Sequence, residues 1–100
     1  MIENKFVFIM PCYNAENTIV QSLISVIGQS YGNWKLLIRD DMSTDSTRKI
    51  IDNIIQVFGM QEKIFVKTNT DKKWEVANIL DMLGDCNEED IICRLDGDDW

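Results

Sequence analysis

A Rossmann-like β-α-β-α-β-α-β domain, with a mainly parallel sheet flanked by helices, is the α/β fold class that this 100-residue sequence predicts. Three observations predict it. Short unbroken apolar runs alternate with longer stretches whose apolar residues recur every three or four positions. Successive runs are joined by helix-length crossovers, which parallel strands require and hairpins do not. The composition is that of a globular domain, with 45% hydrophobic residues, one Pro and five Gly.

Each element has its own justification. Residues 6–10, FVFIM, form an apolar run bounded by Lys5 and Pro11, the pattern of a strand buried on both faces. Asn14 and Asn17 then offer caps to a helix. In it Ile19, Leu23, Val26 and Ile27 recur at helical spacing, and Gly28 is the stop. Residues 34–38 make a second strand, which runs into Arg39, Asp40 and Asp41. Ser43, Thr44 and Asp45 are cap-type residues before a helix striped by Ile50, Ile51, Ile54, Ile55 and Phe58 and closed by Gly59. Residues 64–66 form the third strand. A third helix over 74–83 sets Val76, Ile79, Leu80 and Leu83 on one side, with Gly84 at its end. Residues 91–95 form the fourth strand. The whole chain, 1–100, is one domain, and at this size roughly 60–70% of the unfolded surface can be buried.

Charge and composition exclude several functions. The net charge is −7, from 17 acidic and 10 basic side chains, so a general nucleic-acid surface is not expected. An anionic nucleotide remains compatible if a divalent cation neutralises the contact. Cys12, Cys86 and Cys93 are an odd count without C-x-x-C spacing, which gives neither a disulfide framework nor a zinc site. Reduced, cytoplasmic thiols are expected, with Cys12 and Cys93 as small hydrophobes. The five-residue apolar run is too short for a signal-peptide core or a membrane span. Histidine is absent, which removes any Ser-His or Cys-His pair from this chain. Neither a G-x-G-x-x-G nor a P-loop motif follows a strand.

In parallel sheets, ligands bind beyond the carboxyl ends of the strands. The residues expected there are Pro11, Cys12, Tyr13 and Asn14, then Asp40 and Asp41, then Asp96, Gly97, Asp98 and Asp99. Gathered carboxylates either protonate or bind a cation. Hard oxygen ligands favour Mg²⁺ or Mn²⁺, and open coordination positions suit a diphosphate whose leaving charge the ion neutralises. The plainer reading is that these Asp residues cap helices and form turns. Tyr13 offers a ring on which a nucleobase can stack, with a carboxylate of the second strand tip accepting a base N–H. Its plainer alternative is packing on the first helix.

These motifs together resemble family 2 glycosyltransferases. The matching pieces are Pro11-Cys12-Tyr13-Asn14, then Ser25-Val26-Ile27-Gly28-Gln29-Ser30-Tyr31, then Asp40-Asp41-Met42-Ser43-Thr44-Asp45, and a terminal D-x-D-D-W from Asp96 to Trp100. The resemblance implies a partial GT-A fold and a nucleotide-sugar donor, most often a UDP-sugar. It assigns Pro11, Tyr13 and Asn14 to the nucleotide site, with Tyr13 stacking on the base, and Asp41 to the uracil ring. Asp96 goes to the ribose or metal and Asp98 to Mn²⁺ or Mg²⁺. Asp40 and Asp99 are weaker candidates.

The family's N-x-G and A-R-N elements are incomplete over residues 69–78, where a Gly and an Arg are lacking. Lys72 or Lys73 could supply a cation near the diphosphate, although solvated side chains are the expectation for such a pair. The resemblance also implies a general base and a glycan or lipid-linked acceptor site beyond residue 100. The chain is therefore expected to be the donor-binding part of an inverting enzyme, truncated after its D-x-D motif and inactive alone. It is expected to be cytoplasmic, or membrane-peripheral in full length, and to self-associate through an exposed apolar edge. A nucleotidyltransferase-like domain and a non-catalytic scaffold are the alternatives.

Overall fold

The computed structural model describes residues 6–28, 32–86 and 90–95. Seven elements follow in the expected order: β1 (Phe6–Cys12), α1 (Ile19–Ile27), β2 (Trp34–Asp40), α2 (Thr47–Phe58), β3 (Ile64–Thr68), α3 (Trp74–Leu83) and β4 (Ile91–Arg94). The four strands are all parallel and lie in the order β3-β2-β1-β4. The sheet therefore begins at its centre, with β1 flanked by β2 and β4. The carboxyl-terminal ends of β1 and β2 lie side by side, because Cys12 pairs with Asp40.

Alternation along each strand divides the core into two layers. One face carries Met10, Leu36 and Ile38 against Ile19, Leu23 and Val26 of α1 and Ile51, Ile54 and Ile55 of α2. The other carries Val7, Ile9 and Leu37 against Met82 of α3. Full burial of each such aliphatic side chain contributes about 1.5–3 kcal/mol. Cys12 belongs to the first layer and is fully buried, as expected of a small hydrophobe.

β1 runs through Pro11 instead of stopping before it. The hydrogen bonds explain why this costs nothing. Phe6 N donates to Asn33 O, and Cys12 O accepts from Asp41 N, so even-numbered residues face β2. Ile9 O accepts from Leu95 N on the opposite side, which is where Pro11 lacks its donor. The described pairing with β4 ends before that level, so no ladder bond is missing.

Other boundaries shift for similar reasons. β2 and β3 extend together, because Arg39 and Asp40 pair with Lys67 and Thr68. α1 is preceded by Thr18 and not capped by Asn14 or Asn17, since Ala15 O accepts from the N–H groups of both Thr18 and Ile19. Gly59 does close α2, at φ 65°, a left-handed conformation open to Gly at little cost. Phe58 is not core: it is exposed, three residues past Ile55 at the last position of α2.

The largest correction concerns α3. Its limits match the sequence expectation, but of the expected apolar side only Ile79 packs against the sheet layer of Val7, Ile9 and Leu37. Val76, Leu80 and Leu83 are exposed, while Asn78 and Met82 are fully buried. Polar bonds set the helix's rotation, as described below. Among the described residues no helix is long and apolar enough to cross a membrane.

Candidate functional site

The β1–α1 and β2–α2 loops meet at the carboxyl-terminal edge of the sheet. They are joined by hydrogen bonds spanning about thirty positions of sequence. Asn14 N donates to Ser43 Oγ at 2.9 Å, and Thr44 N donates to Asn14 Oδ1 at 2.7 Å. Ala15 N donates to the buried Thr47 Oγ1 at 2.7 Å. Glu16 N donates to Asp45 Oδ2 at 3.3 Å, and Ser46 N returns a bond to Glu16 Oε2 at 3.1 Å. Asn14 and Met42 take up positive φ, 49° and 61°, to make these turns. Asn tolerates that region and Met does so less readily. Asn14 is thus a clasp between two loops. Ser43, Thr44 and Asp45, expected only as caps, share that clasp. Asp45 also receives Thr47 N at 2.9 Å, a local bond of the capping kind.

Asp40 and Asp41 are neighbours in sequence but point apart. Asp40 Oδ1 accepts from Ser43 N at 3.3 Å and from Ser43 Oγ, while Oδ2 accepts from Thr68 Oγ1 at 3.3 Å. Arg48 donates to the same Thr68 hydroxyl at 2.8 Å. Asp40 is therefore a turn-former tied to β3. Asp41 lies on the α3 side and is fully buried. Its Oδ1 accepts from Asn69 Nδ2 at 3.0 Å and Lys73 N at 2.8 Å. Its Oδ2 accepts from Trp74 N at 2.7 Å and faces the Lys72 ammonium at 3.5 Å.

These donors decide the charge state of Asp41. Burial raises its pKa, but the Asn69 amide, the two backbone N–H groups and the Lys72 ammonium together outweigh it. The carboxyl is held below its ordinary value and stays ionised. The same bonds fix α3. The carboxylate sits at the helix's amino-terminal end, where unsatisfied N–H groups favour an anion. Asn69 also donates to Asn78 Oδ1, and Asn78 Nδ2 donates to Trp74 O at 2.8 Å. Burying Asn78 in this network turns Val76 and Leu80 outward.

Tyr13 follows β1 and is half-buried at the same edge. The Lys72 ammonium lies 2.9 Å from its ring centroid and 4.6 Å from that of Trp74. Lys72 is thus drawn into the site, against the expectation of a solvated side chain. Lys73 does stay outside, pairing with exposed Asp81 at 3.0 Å. Pro11 is buried in β1 directly before these residues.

The structure therefore brings together Pro11, Tyr13, Asn14 and Asp41. Asp96, Asp98 and Asp99 lie outside the described residues. So does Ser30-Tyr31 of the resembling motif. β4 runs parallel to β1, so its described end at Arg94 and Leu95 approaches the same edge. Among the described residues no group of acidic or sulfur side chains could hold a metal ion. Asp40 and Asp41 do not fit that role, because their oxygens are committed to protein donors. Sequence reasoning weighed Lys72 but favoured a solvated side chain, and it missed Asn69 and Asn78 as the site's support. The signal was present in two Asn residues flanking a basic, aromatic turn.

Comparison with known proteins follows the same lines. A family model described as Glycosyl transferase family 2 matches residues 7–100. EpsE of Bacillus subtilis (strain 168) is 36% identical over 94 residues, 91% of this chain. The chain spans 32% of the length of EpsE. Among solved structures, S. aureus TarS 1-349 in complex with UDP matches with a TM-score of 0.80 at 23% identity, over 93% of this chain and 27% of that one. Mannosyltransferase PcManGT from Pyrobaculum calidifontis, in complex with GDP-Man and Mn²⁺, matches with a TM-score of 0.78 at 17% identity, over 87% of this chain and 26% of that one. These structural likenesses bear out the α/β fold of the GT-A type.

Proposed function

The chain belongs to glycosyl transferase family 2, and from that premise we propose that it forms the nucleotide-sugar-binding part of a metal-dependent inverting glycosyltransferase, with a UDP-sugar as donor. The observation that carries this reading is the placement of the Tyr13 ring and the ionised Asp41 carboxylate at one sheet edge, bridged by a single side chain. A ring and an acceptor so placed suit a base that stacks and donates an N–H. Pro11 backs this pocket, and Asn14 holds the turn that presents Tyr13. The UDP bound by TarS and the GDP-Man bound by PcManGT, on the same fold, support a nucleoside diphosphate.

Asp98 is proposed as a metal ligand, with Asp96 at the ribose or metal and Asp99 supporting their loop. The Mn²⁺ in PcManGT supports a divalent ion, Mn²⁺ or Mg²⁺. When bound, the ion supplies charge neutralisation at a leaving diphosphate. This chain's described residues bind and orient the nucleoside. Transfer to a glycan or lipid-linked acceptor, by a general base beyond residue 100, is proposed for a longer, cytoplasmic or membrane-peripheral protein. Within it, 1–100 would be a single donor-binding unit.

Calorimetric titration of UDP tests the reading. Binding is expected with Mn²⁺ and is expected to be abolished by EDTA. Asp98→Asn should weaken it strongly without unfolding the chain. Equal binding by variant and parent would remove Asp98 from the metal role, and no UDP binding under either condition would overturn the reading.

A further inference from the structure

We propose that the nucleotide-free protein fills its own base slot: the Lys72 ammonium stands on the Tyr13 face that a nucleobase would use, and residues 70–74 must swing out before a nucleoside can enter. The proposal rests on the reading of Tyr13 and Asp41 as base contacts, and goes beyond it by making that site self-occluded.

The geometry leaves no room for both occupants. The ammonium lies 2.9 Å from the Tyr13 centroid, whereas stacked rings keep their centroids roughly 4.5 Å or more apart. The same ammonium lies 3.5 Å from Asp41 Oδ2 and 3.4 Å from Asp41 O. It therefore occupies the face of Tyr13 turned towards Asp41, the one a base contacting both groups must share. Tyr13, Trp74 and Asp41 surround the cation with two rings and a carboxylate, a setting that favours an ammonium.

The occluding segment is also built to move. Trp74 holds φ at 65°, a left-handed conformation costly for a bulky aromatic residue. Its N–H bond to Asp41 helps to hold it there. On one flank, Asn69 is anchored by N–H donation to Asp40 O at 2.9 Å. On the other, buried Asn78 is anchored through Asn69. Between these anchors, Lys72, Lys73 and Trp74 each donate to Asp41. A base N–H offered to Asp41 replaces one donor of the same kind, so opening recovers part of the hydrogen bonding it breaks. It also frees Trp74 from its left-handed conformation.

The experiment combines uridine titration of the parent chain, Lys72→Ala and Lys72→Arg with side-chain NMR of Lys72. In the parent, the Lys72 ε-methylene should resonate upfield from the Tyr13 ring current and return to its solvated position as uridine saturates. Lys72→Ala should bind uridine about tenfold more tightly, the loss of one desolvated cation–π contact. Lys72→Arg, which keeps a cation for the cage, should bind like the parent. Equal uridine affinity in parent and Lys72→Ala, with an unmoved Lys72 resonance, would overturn self-occlusion and leave the base site standing. Weaker binding by Lys72→Ala would make Lys72 a nucleoside contact and also overturn it. Failure of all three proteins to bind uridine or UDP would overturn both readings.

Discussion

Asp41 is fully buried among three hydrogen-bond donors and an ammonium, and its chemistry sets two expectations. Replacing it by Asn puts an amide N–H₂ among protein N–H groups and removes the charge facing Lys72. Asp41→Asn should destabilise the chain by about 2–3 kcal/mol, the cost of leaving buried donors unpaired, read as a shift in the urea midpoint. The folded carboxyl is held below its ordinary value of 3.8, so the unfolded chain takes up protons first as the solution is acidified. The stabilisation is therefore fully present above that value and is lost as pH falls through the lower folded pKa. Asp45 has the same sign: burial raises its pKa, and bonds from Thr47 and Glu16 lower it further than burial raises it. The parent should lose stability steeply below about pH 4, and Asp41→Asn should show a shallower loss in the same denaturation series.

At the scale of elements, sequence periodicity was a sound guide to where helices lie and a poor guide to which side of α3 is buried. For α1 and α2 the apolar stripe, Phe58 excepted, is also the packed stripe, because hydrophobic burial dominates their rotation. α3 is decided instead by Asp41, Asn69 and Asn78. Such a network depends on residues brought together across 28 and 33 positions, which no local period encodes. The divergence of Asp40 from Asp41 was hidden for the same reason. Two measurements separate the two settings of α3. Val76→Lys should change stability by no more than about 0.5 kcal/mol, as an exposed substitution does. Met82→Ala should cost about 2–4 kcal/mol, as a buried cavity does. The opposite ranking in urea denaturation would return Val76 to the core.

Across the whole molecule, the alternation of elements, their parallel pairing and the rim where β1 and β2 end were legible in the sequence, because short apolar runs joined by helices admit few topologies. The outward stripe of Val76, Leu80 and Leu83 on α3, and Ile91 and Ile92 on the strand β4 at one end of the described sheet, leave apolar side chains exposed. We expect concentration-dependent self-association, seen as a rising sedimentation coefficient, and its reduction in a Val76→Lys, Leu80→Lys double variant. A constant monomer value across the concentration range would refute it. The Asn14 clasp has a further consequence. The amides of Asn14, Ala15, Thr44 and Ser46 belong to loops, where solvent exchange is ordinarily quick. Each is instead bonded across the gap between the two loops. None can be released singly without loosening the others. Their deuterium uptake should thus be slow and concerted, at a pace set by parting of the two loops and not by local fraying.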